Sequence, residues 1–571
     1  MRIGTHGVSY ESAILDPPVV PRERIIPDSR RTAPRPPQRP VRRSRRRLPP
    51  WVDIAVPCAV AAALCLYELG TRSLWLDEGA TVSIVSQHGD ALWRGIAHDG
   101  GNMLVYYLFM HVVVGLFGDG AAVIRMPSVI ATVATVGITG LIGRRLFDRR
   151  VAFVAALLTA VSLPLVFWGQ DARGYAPLVT FCAGSFLAFI AIADAEDQPS
   201  WWLLGAYVLS TLLGVYMGFV GALVIPAQLM LLLFHNRHVM RRMLVASAVI
   251  AVACVPLLAL ATARGTSQLF WVPGPNARGI GQTMRWLTSA GLPPNFHPTA
   301  TATLTLVVTV LVLAVALGLT LRRFVAAWRT RRFDSETWGT LIVLSWLVVP
   351  IALSLAESAA GQPILLFRNS VICLPAVGLA LAWVLLRTRL PLWVAWSGVA
   401  GLLILRALQL GPSYGVSPEN WKAAEHYVSS HVRPGDCIAF YPLDGRMPFD
   451  YYVRGGESAN GTIATITSRV KVPRPVDPAT PWGETPPYVE DYSTPTNAQL
   501  AHIERTCRRL WFVASHQGQA GGPPTSRANY VRYRVLGATL QVAYLHHHKQ
   551  KFGWASPVQV ELLSDPHPPK T

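Results

Sequence analysis

The chain's apolar residues gather into long runs separated by short polar stretches. Such runs lie near 52–69, 122–142, 151–168, 175–193, 201–217, 219–235, 244–263, 301–320, 338–356, 366–386 and 391–409. A helix crossing a bilayer needs about 20 mostly apolar residues, so the pattern predicts an α-helical polytopic membrane protein with about eleven transmembrane helices over 51–411. A further apolar stretch, 101–117, is interrupted by Asn102 and His111 and reads as a helix lying along the membrane interface. After Leu408 the pattern changes. Residues 412–571 alternate short apolar runs (Cys437-Ile438-Ala439-Phe440-Tyr441, Leu510-Trp511-Phe512-Val513) with polar, turn-rich stretches. That is the signature of a C-terminal α/β domain. Its helix is expected over 418–431, with Arg433-Pro434-Gly435-Asp436 turning into a strand.

Charge orients these segments. If 101–117 does not span, the basic loops at 144–150, 238–242, 322–332 and 387–389 share one side with the N-terminal arm, as the excess of Lys and Arg in cytoplasmic loops requires. If it spans, every later basic loop lands outside. The first arrangement puts Asp77, the 170–175 loop, the 264–300 and 357–368 loops and the whole α/β domain on the extracytoplasmic face of a plasma membrane.

Composition agrees with a membrane protein. Of 571 residues 51% are hydrophobic and 15% charged, and mean hydropathy is +0.34; a soluble domain carries about 25% charged residues. The net charge of +19 suggests nucleic acid until its location is noted. Arg30, Arg31, Arg42, Arg43, Arg45, Arg46 and Arg47 sit among prolines in residues 1–50, so that segment reads as a disordered cytoplasmic arm touching anionic lipid, with no nucleic-acid partner. Cys58, Cys65, Cys182, Cys254 and Cys373 fall in predicted spans and read as small apolar residues. Cys437 and Cys507 lie in the outer domain, where a disulfide and two free thiols are equally open. No zinc spacing occurs, and His546-His547-His548 reads as a solvated segment; no metal or cofactor is expected.

Three polar clusters stand at the outer ends of spans. Trp75-Leu76-Asp77-Glu78-Gly79 follows the first span. Paired carboxylates at a membrane exit are costly, and they serve either as a general base with its support or as caps of a helix starting near Thr81. Trp168-Gly169-Gln170-Asp171-Ala172-Arg173-Gly174-Tyr175 offers an arginine suited to phosphate; its plainer reading is a surface Asp171–Arg173 pair. Pro363-Ile364-Leu365-Leu366-Phe367-Arg368-Asn369 places an arginine beside an apolar run, where it snorkels or clamps a lipid phosphate. In the 264–300 loop, Trp271, Arg278, Arg285 and Trp286 form either a cover over the site or an interfacial aromatic belt.

These motifs, with Ile124-Arg125-Met126-Pro127-Ser128 and Gly143-Arg144-Arg145-Leu146 between them in order, resemble the bacterial protein-mannosyltransferase and aminoarabinose-transferase-like branch of the GT-C membrane glycosyltransferases, over roughly residues 50–410. The resemblance implies a GT-C-like fold, a polyprenyl-phosphate sugar donor and chemistry on the external face. It makes Asp77 the base with Glu78 in support, Arg173 and Arg368 the donor-phosphate contacts, and Asn102, Gln170, Asp171 and Tyr175 substrate contacts. Departures are visible. A Lys or His followed by Pro in many relatives is Asn102-Met103 here, a Tyr-x-His is Tyr216-Met217-Gly218, and an Arg-Tyr is Arg368-Asn369.

The resemblance also implies an inverting single displacement, with mannose as the first expected sugar. The Arg/Ala/Val/Pro-rich composition and the outer domain resemble actinobacterial members that build lipoglycans such as lipoarabinomannan, so the acceptor is a glycan, glycolipid or protein. Arabinose transfer and protein O-mannosylation remain open. So does the glycan-binding role of Trp421, Tyr441, Tyr451, Tyr452 and Trp482 against their role as core. A transporter or lipid flippase is the rival class, disfavoured by the lack of internal repeats.

Overall fold

The computed structural model describes residues 49, 51–195, 198–233, 237–265, 269, 271–292, 299–361, 363–455, 472–476, 492–554 and 556–567. The arm predicted over 1–50 lies outside the described residues except for Pro49, and Trp482 lies outside them too.

The membrane part begins with α1 (Val52–Leu66), α2 (Leu76–Val85), α3 (Gly89–His98) and α4 (Leu104–Phe117). It continues through α5 (Ala121–Leu146), α6 (Arg149–Ala160), α7 (Leu163–Gly169), α8 (Tyr175–Ala193), α9 (Trp201–Met217) and α10 (Val224–Leu232). The remaining helices are α11 (Arg237–Ala253), α12 (Val255–Arg264), α13 (Ala277–Leu287), α14 (Ala300–Thr330), α15 (Ser335–Ala359), α16 (Leu374–Arg387) and α17 (Leu392–Tyr414). Among the described residues six helical segments are long and apolar enough to span, and eight if the bent pairs α6–α7 and α11–α12 each count as one. Shorter apolar helices, α1, α9 and Phe219–Leu232, occupy the other three predicted runs.

The bends have identifiable causes. The α6–α7 axis turns by 60° and the α11–α12 axis by 47°, and α7 and α12 each carry a proline in their first turn. Proline has no N–H to continue the preceding helix. Arg406, buried on α17, donates from an Nη to the Leu158 carbonyl at 2.6 Å and so serves a carbonyl next to the first break. Helix α4 has 14 residues, about 21 Å at ~1.5 Å per residue, short of the ~30 Å hydrocarbon layer. It packs on α2, α5 and α9.

The α/β domain contains α18 (Trp421–His431), β1 (Cys437–Tyr441), α19 (Arg446–Val453), β2 (Arg474–Pro475), α20 (Asn497–Thr506), β3 (Arg509–Ala514), α21 (Pro524–Ala543), β4 (Tyr544–Phe552) and β5 (Val558–Pro566). Its sheet runs β2-β1-β3-β5-β4. Strand β1 is parallel to β2 and β3, while β5 is antiparallel to β3 and β4. The period-two alternation of strands sorts the two cores. Leu510 and Phe512 pack with Tyr533, Leu536 and Leu540; Ile438, Phe440, Trp511 and Val513 pack with Trp421, Val428 and Phe449. Trp421 and Tyr441 are buried in these two cores, Tyr451 is buried in the core of the membrane part, and His546-His547-His548 is exposed along β4. Cys437 and Cys507 form a disulfide with Cα atoms 5.8 Å apart.

The carboxyl ends of β1 and β3 face the membrane part. The segment after β1 lays Pro448 against α2 so closely that a Cβ on Gly79 would stand 2.9 Å from the Pro448 N, Cβ and Cδ atoms. Tyr451 donates its hydroxyl to the Asp119 carbonyl, and the Tyr452 hydroxyl accepts from the Leu74 N–H at 2.7 Å.

Candidate active site

Trp75, in extended conformation, immediately precedes α2, so Asp77 and Glu78 fall in its first turn. Negative charge is favoured there. Neither carboxylate caps the helix, which starts at Leu76 rather than near Thr81. Successive helix positions point about 100° apart, which sends the two side chains to different surroundings.

Glu78 is fully buried. It takes the Arg125 Nε at 2.8 Å and an Arg125 Nη at 2.7 Å, and it accepts the Ala172 N–H at 2.9 Å. The other Arg125 Nη donates to the Leu69 and Arg72 carbonyls at 2.9 and 3.0 Å. One ion pair thus ties the chain entering α2 to α5 and to the 170–174 loop. Burial pushes the Glu78 carboxyl up, but the Arg125 guanidinium, Arg72 and the Ala172 N–H together hold it below the usual carboxylate range.

Asp77 is partly open, with its side chain 26% exposed. Its Oδ2 lies 3.4 Å from Arg368 and 3.9 Å from Arg173. Arg173 is buried, donating to the Tyr107 hydroxyl at 2.9 Å. Tyr107 in turn donates its hydroxyl to Asp99 at 2.8 Å. Arg368 stands over the Trp271 ring at 4.8 Å and the Tyr175 ring at 6.0 Å; such faces hold a guanidinium without spending its donors. Behind them Trp168, Trp286, Phe167 and Phe367 pack edge to face. The result is a carboxylate between two cations on an aromatic wall, at the point where α2, the 170–174 loop and the segment before α16 meet.

The family model for dolichyl-phosphate-mannose-protein mannosyltransferase matches residues 102–259. ArnT from Cupriavidus metallidurans bound to undecaprenyl phosphate superposes with TM-score 0.51 at 14% identity, over 90% of this chain and 98% of that one. Its apo form gives 0.52 at 14%, over 89% and 97%. The chain has the GT-C fold.

No curated protein sequence matches this GT-C chain. Its fold brings together residues the sequence offered separately: Asp77, Arg173, Arg368 and Tyr175 share the site. Asn102 lies in the 99–103 loop, half-buried, next to Met103, whose side chain closes on Gly174. Two expected substrate contacts are used elsewhere. Gln170 donates its amide to the Cys65 and Tyr67 carbonyls at 3.0 and 2.6 Å, holding the exit of α1. Asp171 is buried and accepts from the Trp75 indole at 2.8 Å; no surface pair with Arg173 is seen, because both side chains are enclosed. Burial, then the Glu78 carboxylate, push the Asp171 carboxyl well above its usual range. Trp286 is buried rather than interfacial, whereas Trp271 lies over Arg368.

Arg125, Tyr107, Asp99 and Thr81, whose hydroxyl accepts from an Arg173 Nη at 3.4 Å, were missed as site residues. Arg125 had a signal, a lone arginine within an apolar run. The others reach the site only through tertiary contacts.

Proposed function

We propose that this protein is a glycosyltransferase that moves a sugar from a polyprenyl-phosphate donor to an extracytoplasmic hydroxyl. The observation carrying this reading is the Asp77 carboxylate at 3.4 and 3.9 Å from Arg368 and Arg173. A base beside two phosphate-binding cations is what displacement at an anomeric carbon requires. Support comes from the mannosyltransferase family model over 102–259 and from the undecaprenyl phosphate bound by ArnT, which shares the fold.

In the proposed reaction the donor phosphate engages Arg173 and Arg368, which come off Asp77 and leave its carboxylate free to accept a proton. Asp77 takes the proton of the acceptor hydroxyl, whose oxygen forms a bond to the anomeric carbon. The carbon–oxygen bond to the polyprenyl phosphate breaks, and both electrons leave with the phosphate. Its charge is met by the two guanidiniums. One displacement inverts the anomeric carbon. Glu78 is a positioning residue, since Arg125 and Ala172 occupy its oxygens.

Mannose is the proposed sugar and an envelope lipoglycan such as lipoarabinomannan the proposed acceptor, with the α/β domain outside the membrane. Arabinose transfer and protein O-mannosylation are the variants to compare. Membranes carrying the wild-type chain or Asp77→Asn, given polyprenyl-phosphate mannose and polyprenyl-phosphate arabinose with labelled sugars, test the reading. Transfer by wild type alone supports it. Equal transfer by the variant removes Asp77 as base, and donor flux across the membrane without transfer replaces the enzyme with a transporter.

A further inference from the structure

The α/β domain reaches the amino end of α2 through a pair of side chains that the proposed displacement does not use. Glu419, just before α18, is 1% exposed in its side chain. Its Oε2 accepts the Leu76 N–H at 2.9 Å and the Trp421 indole N–H at 2.7 Å. Its Oε1 faces the His516 Nε2 at 3.2 Å. Leu76 immediately precedes Asp77, so His516 is joined to the base-bearing turn through one buried carboxylate.

His516 itself is not buried; 31% of its side chain is open. It follows β3 at the carboxyl end of the parallel pair β1 and β3, the edge at which α/β sheets bind ligands. Its backbone is left-handed, φ 52°, a conformation uncommon for residues with a side chain and concentrated at functional sites. The Tyr492 hydroxyl and the Gly518 N–H both donate to its carbonyl, at 3.3 and 2.8 Å, which fixes the turn. With Nε2 protonated toward Glu419, Nδ1 is the acceptor. The Ser515 hydroxyl stands 3.2 Å from it, a place a substrate hydroxyl takes only by displacing that of Ser515.

We propose that His516, oriented by Glu419, is the contact by which the α/β domain holds a hydroxyl-rich saccharide acceptor beside Asp77. This rests on the glycosyltransferase reading. In a single displacement the attacking oxygen approaches opposite the leaving phosphate. Arg173 and Arg368 come from the membrane part, and His516 comes from the other domain. Glu419 is a positioning residue, as its oxygens are engaged by Leu76, Trp421 and His516.

Two variants suit the left-handed backbone. His516→Gly removes the ring, and His516→Asn keeps a hydrogen-bonding side chain in a conformation Asn tolerates. Transfer is measured in full-length protein with polyprenyl-phosphate mannose as donor and envelope glycan extracted from a deletion strain as acceptor. His516→Gly is expected to raise the acceptor concentration for half-maximal transfer about tenfold, the loss of one hydrogen bond, with the donor value held and His516→Asn intermediate. An unchanged acceptor value, or a parallel rise in the donor value, overturns the proposal. A photoreactive residue at position 516, illuminated in native membranes, gives a readout independent of the donor. Adducts carrying saccharide support the contact even if polyprenyl-phosphate mannose proves inactive. Adducts without saccharide, or none, overturn it even if transfer is active.

Discussion

The Glu78 carboxylate takes the Nε and one Nη of the Arg125 guanidinium, at 2.8 and 2.7 Å, with neither side chain exposed. Two adjacent acidic residues thus have separate tasks. Glu78 faces inward and fixes the turn, and Asp77 faces the two arginines that bound the open site.

Removing one partner of this pair leaves an unpaired buried charge, which costs about 3–5 kcal/mol. Arg125→Ala is expected to destabilise the protein by that order, and Arg125→Lys also substantially, because an ammonium cannot bond both carboxylate oxygens side by side. Thermal unfolding in detergent measures both. An unchanged midpoint for Arg125→Ala counts against the structural role of the pair.

Asp77→Asn removes only a partly exposed carboxylate. Its unfolding midpoint is expected to stay near that of wild type while sugar transfer falls about 10²–10⁴-fold, the usual contribution of a general base. Transfer and unfolding are measured on the same preparation. A drop in transfer that merely tracks a drop in stability argues against a base.

The raised Asp171 carboxyl sets a pH dependence of opposite sign to that of a salt-bridged acid. A folded-state pKa above the unfolded one means that the folded protein binds the proton more tightly. The associated stability is present below the unfolded pKa of about 3.9 and is lost as pH rises through the folded value. Asp171→Asn keeps an oxygen for the Trp75 indole without a charge to bury. Relative to wild type it is expected to gain stability as pH rises from 4 toward neutrality. Unfolding midpoints across that range check it, and a difference independent of pH refutes the assignment.

Gly79→Ala is expected to loosen the α/β domain from α2. The added methyl would stand 2.9 Å from Pro448 backbone and ring atoms that have no flexible end to move. Limited proteolysis between the two parts should speed up and transfer should fall, whereas Gly553→Ala, next to the Pro418 and Asn420 backbone, strains a contact inside the α/β domain and provides the comparison.

The sequence determined the membrane class and where its apolar helices lie. Runs of apolar side chains have few low-energy options beside lipid, and α8 and α9 match their predicted limits of 175–193 and 201–217 at both ends. It also determined Asp77, Arg173 and Arg368 as candidates, since charges at membrane exits stand out by type. Tertiary structure alone decided that Gln170 and Asp171 brace the loop, that Tyr107 meets Arg173, and that Glu419 joins the Leu76 N–H to His516. Those roles depend on which partner each polar group meets, and the partners lie far apart in the chain: Leu76 and Glu419 are 343 residues apart. Local pattern reports burial and period. It does not report which distant hydrogen-bond donor will satisfy a buried carboxylate.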